Sequence, residues 1–273
     1  MKSTRVRTGA AAMGLRWLVF AGAVGAWQLA TRLVPEEREL FFPPPSVIAT
    51  RMMEMWFSGP AAHGFLTPQA TGNILPSLGR LLVGWSIAAV AGVVIGVLLG
   101  RSQRALDYAD PLIQFSRAIP PPAAIPVFIV LFKLGDTMRI SVIVFGVIWT
   151  IMLNAIEGAR SVEAVQLDIA RVFRLTAAER LLRIVLPAAA PKIFAGLRIS
   201  LSMSLILMVV SEMIGSTDGI GFMLNDAKSS FMLPDMWACI VLLGFLGYAF
   251  NAVFLWIERH LLAWHRGVRG TAE

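Results

Sequence analysis

Two stretches, Leu81–Gly100 and Met236–Ile257, run for 20 and 22 residues without a single charge. At about 1.5 Å per residue a helix of that length crosses the roughly 30 Å hydrocarbon layer of a bilayer. Backbone groups in lipid must be satisfied within the segment, so such stretches become helices or remain outside the membrane. A water-soluble core is excluded for them, and the whole chain agrees: 57% of its 273 residues are hydrophobic and 15% charged. The expected class is an all-α membrane protein.

Four further apolar runs, about 15–34, 111–133, 138–158 and 196–215, bring the expected spans to six, with 78–100 and 236–257 enclosing the two charge-free stretches. Charge interrupts or bounds these four: Arg117 lies inside the third span, Arg139 and Glu157 flank the fourth, and Glu212 closes the fifth. Such spans are expected to be shielded by protein. The reading divides the chain into a tail and first helix (1–34), an extracytoplasmic segment (35–76), a five-helix core (77–258) that includes a loop at 159–195, and a second tail (259–273). Residues 1–34 also resemble a signal peptide in charge order, but no small-residue cleavage site follows, which favours an uncleaved helix.

Lys and Arg near the span ends set orientation. Lys2, Arg5, Arg7 and Arg16, then Arg101 and Arg104, then Arg160, Arg171, Arg174, Arg180, Arg183 and Lys192, and finally Arg259, Arg266 and Arg269 all fall on one side of a six-span chain. That side is expected to be the cytoplasm and to hold both termini. In the opposite segment, "FFPPPSVIATRMMEMWFSG" predicts a short helix capped by Ser46, with Val47, Met52, Met55 and Trp56 in the membrane interface.

The segment Leu167–Ser200 breaks the apolar pattern. Ser161 is a candidate cap for a helix carrying Val162, Val165, Ile169, Val172 and Phe173 on one face, and Thr176 with Glu179 has capping-box spacing for a second. Pro187 and Pro191 are expected to end that second helix. The residues alone leave two uses open: a docking surface for a partner, or an amphipathic hairpin lying on anionic lipid.

Within this segment Asp168, Ile169 and Ala170, then Arg174, then Ile184, Leu186 and Pro187 resemble the Glu-Ala-Ala loop of bacterial ABC importer permeases, with its following Gly and closing Ile-x-Leu-Pro. "SLGRLLVGW" from Ser77, "SRAIPPPAAIPVFIVLFKLG" from Ser116, "AAPKIFAGLRIS" from Ala189 and "VVSEMIGSTDGIGFML" from Val209 are similar to the nitrate, sulfonate and taurine branch. The resemblance implies an importer-permease fold in a bacterial inner membrane, a coupling role for Asp168, Ala170, Arg171, Phe173, Arg174, Ile184, Leu186 and Pro187, and alternating access. It also implies partners: cytoplasmic ATP-binding cassette subunits that carry ATP and Mg, an extracytoplasmic solute-binding protein, a second copy of the chain, and membrane lipid. Two positions depart from the pattern. Asp168 replaces Glu, and Arg174 replaces Gly, which costs about 1–2 kcal/mol if that turn needs positive φ.

Gly84, Ala88, Gly92, Gly96 and Gly100 repeat every four residues, predicting a groove for close helix packing, whether in a moving or a static core. In "AIPPPAAIP", Pro120, Pro121, Pro122 and Pro126 remove backbone donors, so the third span must break or kink, beside a translocation path or as a structural bend. Glu212 is a candidate for the path or a gate, or for capping the loop after it; Arg117 is a candidate anion contact, or snorkels to the surface. Ser204 and Ser211 share the fifth span and are grouped with the path candidates.

The Gly-rich phosphate loop ending in Gly-Lys is missing, because no Lys follows a Gly. Three His and the lone Cys239 offer no paired metal ligands, and basic residues scattered between apolar runs do not form a nucleic-acid patch. No cofactor, metal or catalytic residue is expected in this chain. The reading is therefore a non-enzymatic permease subunit for a small anion of the sulfonate, taurine or nitrate type, with a vitamin precursor or aromatic acid as the alternative cargo. An ion-gradient carrier and an intramembrane enzyme are the alternatives of another class.

Overall fold

The computed structural model describes residues 10–33, 41–61 and 64–262. Lys2, Arg5 and Arg7, the acidic run from Glu36 to Glu39, and Arg266 with Arg269 lie outside the described residues. Every regular element among the described residues is helical: α1 (Ala10–Arg32), α2 (Pro45–Met52), α3 (Pro68–Gly100), α4 (Gln103–Ala118), α5 (Ile125–Phe132), α6 (Asp136–Arg160), α7 (Ala164–Val172), α8 (Ala177–Glu212), α9 (Ile220–Ser229) and α10 (Leu233–Leu261). Among the described residues α3, α6, α8 and α10 are each long and apolar enough to cross a bilayer, and α1 contributes a shorter apolar stretch, Trp17–Thr31.

The expected third span, 111–133, is not one rod. Helices α4 and α5 meet at 88°, joined through a short 3-10 turn at Pro121–Ala124, and only as a bent pair do they make a fifth candidate span. The consecutive prolines explain the corner. Three residues without an N–H leave the carbonyls one turn earlier unpaired, and Ile119 and Pro120 adopt extended backbone.

The chain forms two compact units. The first takes in the residues up to Thr71 together with Leu224–Val241. Here Trp27, Phe42 and Trp237 pack in tilted and edge-to-face contacts with centroids 5.4–5.6 Å apart, and Arg51 grips Asp235 through Nε at 2.7 Å. Those hydrogen bonds to Asp235 push the Arg51 pKa above its usual value. Ser46 does not cap α2: the N-cap is Pro44, and Ser46 instead exchanges two hydrogen bonds with the Gln28 side chain. Met55 and Trp56, expected in the membrane interface, are buried under the turn that Thr67 closes through Trp56 O. Their apolar surface is worth more inside the unit than at the interface.

The second unit, Gly72–Met223 with the residues from Leu242 on, is built around α6. One face of α6 receives the small residues of α3. A methyl group placed on Gly96 would stand 2.5 Å from the Met152 carbonyl, and one on Gly100 2.7 Å from that of Ile156. Gly84 and Gly92 meet Ile143 and Ile151, and Ala88 is fully buried. The other face of α6 receives α8, where Gly196 lies against Asn154 and Gly158 against Ala189. Val97, Ala155, Ala159, Val185, Ala189 and Ile193 then form an apolar cluster shared by all three helices.

Candidate functional site

Helix α7 and the start of α8 hold the residues singled out in the loop 159–195. Ser161 does not start α7, because its Oγ donates to Gly158 O at the end of α6 and the N-cap is Glu163. The helix ends in a Schellman turn: Leu175 N–H donates to Ala170 O (2.9 Å) and Arg174 N–H to Arg171 O (3.0 Å). Arg174, which stands where the resemblance led to an expected Gly, takes the left-handed position at φ 50°. The strain of about 1–2 kcal/mol is met by those two hydrogen bonds.

The next residue pair restarts the helix. Thr176 Oγ1 accepts from Glu179 N–H, and the Glu179 carboxylate accepts from Thr176 N–H at 3.0 Å, a complete capping box. Pro187 and Pro191 do not end this helix. A π turn at Leu181–Val185 absorbs the missing donors, with Leu186 N–H reaching back five residues to Leu181 O, and the chain continues to Glu212. At about 1.5 Å per residue, α8's 36 residues extend about 54 Å.

Exposure sorts the coupling candidates. Val165, Ile169, Val172 and Phe173 form an exposed apolar face, Val172 at 80% and Phe173 at 72%. Asp168 and Arg171 are exposed and paired with each other at 2.9 Å. Ala170 points the other way and is 1% exposed, so it packs within its own chain and is not a surface contact. Ile184, Leu186 and Pro187 are half-buried, and Leu186 packs on the α3–α6–α8 cluster. Nearby, burial pulls the Arg101 pKa below its usual value and the Arg180 charge adds to the effect.

The far end of α8 carries the second feature. Glu212 is 1% exposed, and its carboxylate accepts from Arg80 Nη1 (2.8 Å), from Ser77 Oγ (2.8 Å) and from Gly221 N–H (3.0 Å). Arg80, itself 5% exposed, also donates to Asp218 Oδ1 and Asp136 Oδ1, both at 2.7 Å. Arg139 joins through Asp136 at 3.1 Å. Glu212 itself is enclosed, capping the loop and the start of α9, while Asp136 and Asp218 at the edge of the set reach the surface. A charge within a span demands a partner, and an Arg standing immediately before a charge-free run was the available signal for Arg80.

The remaining path candidates divide in the same way. Ser204 and Ser211 are fully buried and bond back to Ser200 O and Met208 O of their own helix. Arg117, Pro120 and Pro126 are exposed around the α4–α5 corner and Pro121 is half-buried there. These four share one corner of the fold, while Ser204, Ser211 and Glu212 lie inside it.

Four helices long and apolar enough to cross a bilayer, with a short helix and a turn set between α6 and α8, define a multi-span membrane protein. Residues 88–266 match the family described as binding-protein-dependent transport system inner membrane component, and the chain belongs to that family. It is similar to the putative aliphatic sulfonates transport permease protein SsuC of Bacillus subtilis (strain 168), 30% identical over 84% of this chain and 79% of the relative. It is similar as well to the bicarbonate transport system permease protein CmpB of Synechococcus elongatus, 34% identical over 69% of this chain and 68% of that one. The taurine transport system permease protein TauC of Escherichia coli (strain K12) is 28% identical over 84% and 82%. Among solved structures, the fold matches the inward-facing MetNI methionine ABC transporter with a TM-score of 0.62 at 18% identity, over 69% of this chain and 94% of that one. The chain is thus a multi-pass inner-membrane permease of the ABC importer class.

Proposed function

We propose that this permease imports a small anion, driven by separate ATPase subunits that dock on α7 and supplied by an extracytoplasmic binding protein. The exposed apolar face of α7 carries the reading. Four large apolar side chains on a helix that follows the end of a span, held by a Schellman turn and a capping box, are built for a protein groove. The cargo class rests on the relatives, whose names give aliphatic sulfonates, bicarbonate and taurine. Six spans, cytoplasmic termini and a paired permease complete the reading, with α1 as the first span and the α4–α5 pair as the third.

The test is co-purification. Burying Phe173 is worth roughly 1.5–3 kcal/mol, one to two decades of affinity at about 1.4 kcal/mol each. Phe173→Asp and Val172→Asp should insert normally, lose the ATPase during purification and stop uptake. Wild-type amounts of ATPase with both variants would reject α7 as the coupling element. A hairpin lying on lipid predicts retained ATPase and a changed response to anionic lipid.

A further inference from the structure

Helix α8 joins the two features already described: the α7 face at its start and the Arg80–Glu212 cluster at its end. The loop that follows, residues 213–219, is tied by side chains from other helices. Asn73 Oδ1 accepts from Gly219 N–H (2.9 Å), Ser77 Oγ from Ile220 N–H (2.8 Å), and Arg139 Nη2 donates to Gly215 O (3.4 Å). Arg80 adds the charged ties. Its guanidinium reaches the last residue of α8, the loop through Asp218, and the first turn of α6 through Asp136, while projecting from α3. One buried cation thereby links four segments, α3, α6, α8 and the loop, through its side chain.

We propose that Arg80 is a positioning residue that fastens the far ends of α3, α6 and α8 to the 213–219 loop, so that movement imposed on α7 and α8 by nucleotide reaches that loop undiminished. The inference rests on the proposed docking of an ATPase at α7. A continuous helix transmits displacement along its axis, and a tied end passes it on where a free end would fray. Desolvated charge makes the tie stiff: Glu212 has no exposed side-chain surface, so removing its cation leaves a buried charge short of a partner.

The experiment uses the permease–ATPase complex in nanodiscs with Cys239→Ser and Thr217→Cys, Thr217 being exposed in the loop. Its reaction rate with a membrane-impermeant maleimide is measured with and without ATP and vanadate. The parent should change rate several-fold on nucleotide trapping. Arg80→Gln should keep its ATPase subunits and basal hydrolysis while losing that response, and Arg80→Lys, which retains a charge for Glu212, should recover part of it. A full response in Arg80→Gln, or none in the parent, overturns the proposal. If Arg80→Gln fails to assemble, Asp218→Ala decides, since it removes the side-chain tie from Arg80 to the loop and leaves the bonds to Glu212 and Asp136 in place: a lost response supports the proposal and an unchanged one rejects it. Absence of ATPase from the parent complex would instead reject the docking reading.

Discussion

Gly219 shows how much a single position constrains the Arg80 cluster. Its φ is +107°, and a Cβ would stand 2.5 Å from the Glu212 carboxyl carbon, so Gly219→Ala meets both backbone strain and a clash. Gly219→Ala should lower the melting temperature in detergent clearly, whereas Gly244→Ala, with open space around it and an ordinary helical φ, should leave it unchanged or raise it slightly. Glu212→Gln removes charge-assisted hydrogen bonds and should cost about 1.5–3 kcal/mol. Ser77→Ala shares the same carboxylate, so the double variant should cost less than the sum of the two, as a melting-temperature cycle would show. Arg174→Gly relieves the left-handed strain and should stabilise the loop by about 1 kcal/mol. Of these residues, Arg174 was legible from its departure from the expected Gly. Arg80 was not, because its position at the very start of span two reads equally well as a membrane-edge charge until Glu212 is placed beside it.

Helix α3 shows what spacing conveys and what it leaves out. A four-residue repeat of small side chains announces a close neighbour, and that neighbour is α6 of the same chain. Gly96→Leu should therefore reduce the yield of folded monomer rather than only the pairing of subunits, since overpacking costs about 1–3 kcal/mol. Gly22→Leu in α1, where nothing lies within 4 Å, is the tolerated control. Size-exclusion yield of the two variants checks this. The prolines carried less. In α4–α5 consecutive prolines made a right-angle corner, yet in α8 Pro187 and Pro191 sit within a continuous helix, because a π turn re-pairs the backbone just before them. The spacing differs: Pro120, Pro121 and Pro122 are consecutive and remove the donors of most of a turn, whereas Pro187 and Pro191 stand four residues apart with N–H groups between them.

Across the molecule, Ser161 and Thr217 stand just beyond opposite ends of the core helices, Ser161 after α6 and Thr217 after α8. If the basic segments face the cytoplasm, Ser161→Cys in a Cys239→Ser background should resist an impermeant thiol reagent in intact cells. Thr217→Cys should react, and the reverse result would invert the topology. Hydropathy and the Thr176–Glu179 capping box were enough to predict a multi-span helical protein with a structured loop, because burial in lipid and the first-turn hydrogen bonds are local demands that neighbouring residues must meet. They could not say that Ala170 turns inward while Phe173 turns out, that Met55 and Trp56 are buried, or that Glu212 is sealed within a ring of partners. Those outcomes depend on segments up to 135 positions apart, as Ser77 and Glu212 are, meeting in space. A buried charge takes whichever partner the packing of α3 against α6 and α8 brings within reach, and no local pattern encodes that distance.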